Sequence, residues 1–195
     1  MDKSAKHKIT AALAAVMMAA CAVTSMASSG AQAVDAARNS GPGSQAAIEA
    51  AEAEAEAQKE AEETDLRHTI TNKALECMGA RYVWGGESPT SGMDCSGLTK
   101  YVLKSTLGLD VPHSAAAQAN LGTRVSVDEL RPGDLVFYTF EGARIDHVAM
   151  YLGDGYVIHT SATKHKVVIS DIYMGTSPTA CVTLLPSSLK GVRYR

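Results

Sequence analysis

Three residues of this chain have side chains suited to nucleophilic attack on a carbonyl. Cys95 follows Asp94 directly, and the two histidines His147 and His159 stand on either side of a Gly-Asp-Gly turn. A thiol attacks as the thiolate, and a histidine takes up its proton and later protonates the leaving amine. A further polar group must hold that histidine in one tautomer. His147 and His159 could fill these two roles if both rings reach the same place.

Cys95 is predicted to lie in the first turn of a helix. Apolar residues recur at helical spacing from Cys95 to Leu107, and Gly108 ends the pattern. Asp94 or Ser96 could cap the first turn. The free N–H groups and the dipole of a helix N-terminus favour a thiolate, so we expect a lowered pKa for Cys95.

The register of one hairpin decides whether the two histidines meet. If Asp154 and Gly155 alone form the turn, Met150 opposes His159 and the two rings point to opposite faces. A three-residue loop of Gly153 to Gly155 shifts the register by one, and both rings then share a face. We predict the second arrangement.

The remaining pattern predicts an α+β domain, with helices first and a small antiparallel sheet afterwards. A helix containing Ile70, Ala74, Leu75 and Met78 should stop at Gly79, a glycine-rich loop follows, and a short helix is expected from Ser114 to Asn120. Alternating or apolar runs predict strands at 134–140, 146–152, 156–161 and 166–170, with one or two more at 182–185 and 191–194.

Composition divides the chain into three parts. Residues 1–33 have the basic and then apolar order of a secretion signal, too short to span a bilayer. The signal ends either at a cleavage site near Ala33 or at a lipoprotein-type box before Cys21, whose lipidation would attach the protein to a membrane. Residues 34–65 form an acidic Ala/Glu spacer, and residues 66–195 form one catalytic domain. We expect a secreted or cell-envelope protein.

Charge and cysteine usage exclude several classes of protein. The catalytic domain carries 13 basic and 11 acidic residues, a net charge of +2, whereas the spacer carries 2 and 9, a net charge of −7. A charge of +2 with no basic aromatic patch argues against nucleic-acid binding. No CxxC or HxxxH spacing occurs, so we expect no metal and no cofactor. Cys77 and Cys181 are interpreted as buried small hydrophobes or, alternatively, as a disulfide pair.

Four motifs in order resemble the NlpC-type cell-wall cysteine peptidases. They are YVWGG at 82–86, DCSG at 94–97, PGDLVF at 132–137 and HVAMY at 147–151, and the resemblance covers residues 69–195. It implies a papain-like fold, in which a helical part carrying the nucleophile packs on a small antiparallel sheet. The implied activity is hydrolysis of peptidoglycan stem peptides, typically between γ-D-glutamate and a diamino acid, by a protein expected to be a monomer.

The resemblance also implies a role for each matched residue. Cys95 is similar to the nucleophile, His147 to the general base and acid, and His159 to the residue that orients it. Tyr82 resembles a tyrosine that helps with the oxyanion or substrate, and Asp94 and Ser96 are expected to line the substrate site.

Two departures from the family pattern leave specificity open. Family members often have Pro-Arg where this chain has Pro112-His113, and no separate wall-binding module is visible. Trp84 is expected to belong to the core. A related cysteine amidase or acyltransferase, and a non-catalytic wall-binding protein, are the alternative functions.

Overall fold

The computed structural model describes residues 44–185. The predicted secretion signal with Cys21, residues 34–43 of the predicted spacer and the predicted strand at 191–194 lie outside these residues. The chain divides into two compact units, Met1–Glu62 and Glu63–Arg195. Among the described residues, no helix is long and apolar enough to cross a membrane.

Helix α1 (Ser44–Leu75) begins in the acidic spacer and continues into the second unit. Its described side chains before Glu63 are mostly exposed, because the Ala/Glu sequence has no apolar stripe to bury. Within the second unit, Ile70 and Ala74 are buried, as their spacing predicts. Leu75 and Met78 are exposed instead, and the helix ends before Gly79.

The early end of α1 follows from pairing between the chain after it and the sheet. Gly79 has a φ of 78°, and its N–H donates to the carbonyl of Val167 at 3.1 Å. The N–H of Val167 donates in turn to the carbonyl of Ala80 at 2.9 Å. These bonds replace helical ones, so the prediction of a helix reaching Gly79 was wrong by one turn.

Helix α2 (Cys95–Leu107) has the predicted bounds. Asp94 caps its first turn, and Gly108 ends it in the left-handed conformation that glycine adopts without strain. The glycine-rich loop before α2 contains a two-stranded hairpin that the sequence did not predict, β1 (Glu87–Ser88) and β2 (Gly92–Met93). The short helix α3 (Ala115–Gln118) lies within the predicted range of Ser114 to Asn120, and Ser114 caps its first turn.

Within residues 44–185, six antiparallel strands form the main sheet, which confirms the α+β prediction. In spatial order they are β3-β8-β4-β5-β6-β7. Their bounds are β3 (Thr123–Val125), β4 (Leu135–Tyr138), β5 (His147–Gly153), β6 (Tyr156–Ser161), β7 (Lys166–Asp171) and β8 (Ala180–Thr183). Strand β3 was not predicted, and a 3₁₀ turn at Val127–Glu129 follows it.

The β5–β6 hairpin has the predicted register, but a β-bulge produces it and not a three-residue loop. Asp154 and Gly155 form a two-residue turn, and both have positive φ, 52° and 78°. Such a turn alone would separate the histidines. A β-bulge between Tyr151 and Gly153 shifts the pairing by one residue, so that Met150 opposes Ile158. The expected three-residue loop was wrong, but the shared face of His147 and His159 is confirmed.

Apolar side chains pack on both faces of the sheet. On one face, Val148, Met150 and Ile158 of the sheet belong to the same core cluster as Leu98 and Val102 of α2. The opposite face carries a smaller cluster of Val136, Tyr138, Ala149, Val157, Ile172 and Cys181.

Cys77 and Cys181 are free and buried, as the first interpretation of the sequence predicts. Cys77 belongs to the cluster beneath α2 and Cys181 to the cluster on the other face, so the sheet separates them. The disulfide alternative was therefore wrong. Burial raises the pKa of each thiol to about 11.

A buried ion pair connects α1 to the start of β4. Arg67 Nη1 lies 2.9 Å from Asp134 Oδ1 and also donates to the carbonyl of Pro132. The guanidinium of Arg67 pairs with Glu63 one turn earlier, at 3.0 Å. Removing either partner of the Arg67–Asp134 pair would leave a buried charge without compensation.

Candidate active site

The capping carboxylate of Asp94 holds the first turn of α2 and the loop beside it. Asp94 Oδ1 accepts from the N–H of Gly97 at 2.8 Å and from the hydroxyl of Ser96 at 3.0 Å. Asp94 Oδ2 accepts from the N–H of Gly85 at 2.8 Å. Burial by itself would raise the pKa of Asp94, but these backbone bonds and the ring of His113 outweigh it and hold that pKa below its ordinary value.

Cys95 is the first residue of α2, as predicted, but its pKa shifts in the opposite direction from our expectation. Burial is the largest influence and raises the pKa of Cys95. The N–H groups of Val148, Ser96 and Cys95 itself favour the thiolate, whereas the charge of Asp94 opposes it. The helix N-terminus therefore offsets only part of the cost of burying a thiolate.

The two predicted histidines form a relay with a serine. His147 Nε2 lies 2.9 Å from His159 Nδ1, with the rings edge to face at 87°. His159 Nε2 lies 3.1 Å from Ser170 Oγ. Because Nε2 of His147 is engaged by His159, Nδ1 is the nitrogen left to exchange a proton with a thiol. That role requires His147 to donate from Nε2 to His159, which fixes its tautomer.

Burial keeps both histidines neutral at neutral pH. Tyr138 and Phe140 lie with ring centroids 6.1 Å and 5.6 Å from that of His147. Burial is the main cause that lowers the pKa of His147 to about 4, although the carboxylates of Asp146 and Asp94 act against it. Burial also lowers the pKa of His159 to about 4, helped by the nearby charges of His147 and Lys164.

The N-terminus of α2 meets the sheet where β5 and β6 are no longer paired. Among the described residues, the ladder between these strands begins at Met150 and Ile158, so the N–H of Val148 has no ladder partner on β6. That N–H interacts with the sulfur of Cys95. On β6, the hydroxyl of Thr160 donates to the carbonyl of Asp94 at 3.2 Å. These contacts place the sulfur beside the peptide that joins His147 to Val148.

An open pocket of about 400 Å³ contains Cys95. Its walls come from the loop before α2, the start of α3 and the loop before β5; they include Trp84, Gly85, Asp94, Ser96, His113, Ala115, Ile145 and Asp146. The side chain of Trp84 is 85% exposed. The expectation that Trp84 belongs to the core was wrong, because Gly85 turns the chain with a φ of 73° and leaves the indole on the pocket wall.

The structure places Tyr82 and Ser96 near Cys95 in different ways. Burial raises the pKa of Tyr82, and the nearby charges of Cys95 and Asp94 add to the shift. Its phenol therefore keeps the proton that a hydrogen-bond donor needs. Ser96 is buried and lines the pocket, where its hydroxyl is committed to Asp94. Among residues 44–185, no group of three His, Cys, Asp or Glu side chains could hold a metal ion.

Comparison with known proteins identifies this arrangement of helix and sheet. The model of the NlpC/P60 family matches residues 79–184, more than half of the chain. The chain belongs to the NlpC/P60 family. Its fold is also that of a solved NlpC/p60 domain, from the peptidoglycan hydrolase SagA, with a TM-score of 0.55 and 35% identity. That match covers 60% of this chain and 98% of the solved one, and the papain-like fold that the resemblance implied is confirmed.

Curated relatives match about half of the chain. A gamma-DL-glutamyl hydrolase of Bacillus subtilis is 35% identical over 111 residues, which are 55% of this chain and 27% of the relative. The murein DD-endopeptidase MepH of Escherichia coli is 36% identical over 104 residues, which are 52% of this chain and 38% of the relative. The matched segments thus cover well under half the length of either relative.

Several polar residues of this NlpC/P60 domain were not assigned to the site from the sequence. Ser170 ends the relay, and it could have been found from the β6–β7 register, which puts it diagonally next to His159 on one face. Gln118 is buried and donates to the carbonyls of Ser96 and Pro112, which ties α3 to α2. His113, noted in the sequence only as a departure, lines the pocket and contacts Asp94.

Proposed function

We propose that this protein is a cysteine peptidase that hydrolyses peptidoglycan stem peptides. The supporting observation is the position of Cys95, which lies in an open pocket at a helix N-terminus beside the first residues of β5, where the His147–His159–Ser170 relay begins. A binding protein would gain nothing from such a relay. The names of the relatives supply the substrate class.

The proposed reaction has two halves. The neutral pair of Cys95 and His147 is the resting state, because burial raises the pKa of the thiol and lowers that of the ring. His147 takes the proton as the sulfur adds to the scissile carbonyl, then gives it to the departing amine. His147 next activates water, which adds to the thioester and releases the sulfur. The N–H of Cys95 and the phenol of Tyr82 stabilise the oxyanion.

We further propose that the bond cleaved lies between γ-D-glutamate and a diamino acid. One curated relative is named for a γ-glutamyl bond and another for a DD bond, so the family alone leaves both open. The pocket wall around Cys95 includes the exposed indole of Trp84, a flat apolar surface against which a peptide backbone or sugar can lie.

The test uses purified protein, a Cys95→Ala variant and two defined substrates. The first is a linear stem tetrapeptide that contains the γ-D-glutamyl bond, and the second is a DD-cross-linked dimer. Mass spectrometry of the products should show cleavage of the γ-D-glutamyl bond by the wild type and no turnover by Cys95→Ala, with equal thermal unfolding of both proteins. Cleavage that survives Cys95→Ala would refute the cysteine mechanism, and cleavage of the DD bond alone would refute the bond assignment.

The product masses also address the amidase alternative, because they show which bond is cleaved, and an added amine addresses the acyltransferase alternative. An acyltransferase would pass the thioester acyl group to an added amine in preference to water. Mass spectrometry of the products formed in the presence of a free amino acid distinguishes hydrolysis from acyl transfer. We expect hydrolysis products to dominate. Failure to cleave any substrate, together with tight binding to purified cell walls, would favour the wall-binding alternative.

We also propose that the protein acts outside the cytoplasmic membrane. The support is the basic and apolar order of its first residues, with Cys21 as a possible lipidation site. Intact mass measurement of the protein isolated from cell fractions distinguishes a chain cleaved near Ala33 from one that begins with acylated Cys21. An uncleaved chain in the cytoplasm would refute the proposal.

A further inference from the structure

An exposed aromatic ring borders His147 where β4 ends. Phe140 lies two residues beyond β4, and 49% of its side chain is exposed, whereas Tyr138 is fully buried. The rings of Phe140 and Tyr138 are stacked, with centroids 5.7 Å apart. The ring of Phe140 also lies 5.6 Å from that of His147, at an interplanar angle of 60°. One part of the phenyl ring thus contacts the proposed base, and another part faces solvent.

Asp146 holds Phe140 in place beside the pocket that contains Cys95. Asp146 Oδ1 accepts from the N–H of Phe140 at 3.0 Å, and Oδ2 accepts from the N–H of Glu141 at 2.7 Å. The N–H of Asp146 donates to the carbonyl of Tyr138 at 3.1 Å. Asp146 also lines the pocket. The ring of Phe140 is therefore presented by a hydrogen-bonded loop that forms part of the pocket wall.

The exposed aromatic side chains of the described residues lie in two places. Among residues 44–185 they are those of Trp84, Phe140, Tyr156 and Tyr173. Trp84 lines the pocket and Phe140 contacts His147. Tyr156 begins β6 at the turn of the β5–β6 hairpin, so it lies at the opposite end of the hairpin from His147. Tyr156 is 52% exposed and is a matched control for Phe140.

The proposed reaction determines which part of a substrate lies next to Phe140. His147 gives its proton to the departing amine, so the residue that carries this amine must lie beside His147. Phe140 borders His147 and is within reach of the same residue. In the proposed substrate that residue is a diamino acid, whose side chain is an aliphatic stem with a charged end. Such a stem can cover an aromatic surface while its charged end stays in water.

We propose that Phe140 is a substrate-binding residue that contacts the side chain on the leaving-group side of the scissile bond and selects for a long aliphatic chain there. This inference deepens the proposed hydrolase function and rests on it for the position of the leaving group. A ring that only shielded His147 from water would affect every substrate equally. A ring that contacts the leaving group changes the preference between substrates.

The kinetic test uses two stem tetrapeptides that have norleucine or alanine directly after γ-D-glutamate. The two peptides have the same charge and differ only in the length of one aliphatic chain. We measure the ratio of their kcat/KM values, because an effect on His147 itself cancels in this ratio. The wild type should prefer norleucine about tenfold, the lower end of what apolar contacts contribute to specificity. Phe140→Ala should lower the ratio to about one, whereas Phe140→Tyr and Tyr156→Ala should keep the wild-type ratio.

A second pair of peptides tests which side of the scissile bond Phe140 contacts. These peptides have L-alanine or glycine before the D-glutamate, and their kcat/KM ratio should be the same in the wild type and in Phe140→Ala. A change in this ratio would place the ring on the acyl side and overturn the proposal. A norleucine preference that survives in Phe140→Ala would also overturn it, even if both rates fall. Thermal unfolding of each variant checks that the folded proteins are compared.

A binding test does not depend on turnover. Calorimetric titration of Cys95→Ala with the intact norleucine and alanine peptides should show about tenfold tighter binding of the norleucine peptide. Adding Phe140→Ala should remove this difference. Equal affinity of Cys95→Ala for the two peptides would overturn the inference. A preference that depends on Phe140, in a protein whose wild type cleaves no stem peptide, would establish the contact and refute the proposed hydrolase function instead.

Discussion

His147 Nε2 lies 2.9 Å from His159 Nδ1, which makes the second histidine the group that orients the first. The bond leaves Nδ1 of His147 available to the thiol, and Ser170 holds the far side of His159 at 3.1 Å. The chain thus uses an imidazole where a carboxylate or amide could do the same work.

Replacing His159 should slow catalysis without unfolding the domain. We expect His159→Ala to lower kcat/KM about 10²-fold, because His147 loses the contact that fixes its tautomer. His159→Asn should retain more activity, since its side-chain oxygen can accept from Nε2 of His147. The measurement is kcat/KM on a stem tetrapeptide across pH. Equal activity of His159→Ala and wild type would remove His159 from the mechanism.

The reactivity of Cys95 should rise with pH rather than level off at acid pH. Burial raises the pKa of the thiol and lowers that of His147 to about 4, so both groups are neutral near pH 7. The thiolate fraction then grows about tenfold per pH unit below the thiol pKa. Alkylation by iodoacetamide, followed on the Cys95 peptide by mass spectrometry, measures this. A fast plateau between pH 5 and 7 would reveal a thiolate–imidazolium pair instead.

Gly97 should tolerate no side chain. A Cβ at this position would lie 2.0 Å from the carbonyl oxygen of Gly86 and 3.2 Å from His113 Nε2. Gly97→Ala must therefore push the loop before α2 away from the helix, at a cost of about 1–3 kcal/mol in the free energy of unfolding, and should reduce activity. Urea unfolding and kcat/KM measure both effects. Ser105→Ala, on the exposed side of the same helix, is the matched control and should change neither.

Arg67 should be needed for stability although it lies outside the family match. Its guanidinium is buried with Asp134, so Arg67→Met should lower the free energy of unfolding by about 3–5 kcal/mol. Arg131 pairs with Glu63 but is 41% exposed, and Arg131→Met should cost about 1 kcal/mol or less. Urea denaturation of the two variants compares them. Similar decreases in the free energy of unfolding would show that the buried Arg67–Asp134 pair stabilises the fold no more than the exposed Arg131–Glu63 pair does.

Local signals were sufficient for the elements whose residues interact within one segment. The bounds of α2 followed from helical spacing between Asp94, a capping residue, and Gly108, a glycine that adopts a positive φ. The motif around Cys95 indicated the proposed nucleophile for the same reason, because cap, thiol and glycine are neighbours along the chain. Four strands of the six-stranded sheet, β4 to β7, were predicted from the alternating or apolar pattern within each strand.

Relations between segments depended on contacts that no single segment encodes. A bulge at the end of β5, rather than loop length, brought His147 and His159 to one face. Burial by the whole domain, rather than the helix N-terminus, set the direction of the Cys95 pKa. The contact of His113 with Asp94 joins two separate stretches. Helix caps and turns depend on residues that are close in the sequence. Desolvation, strand register and ion pairs depend on residues that are far apart in the sequence and come together when the chain folds.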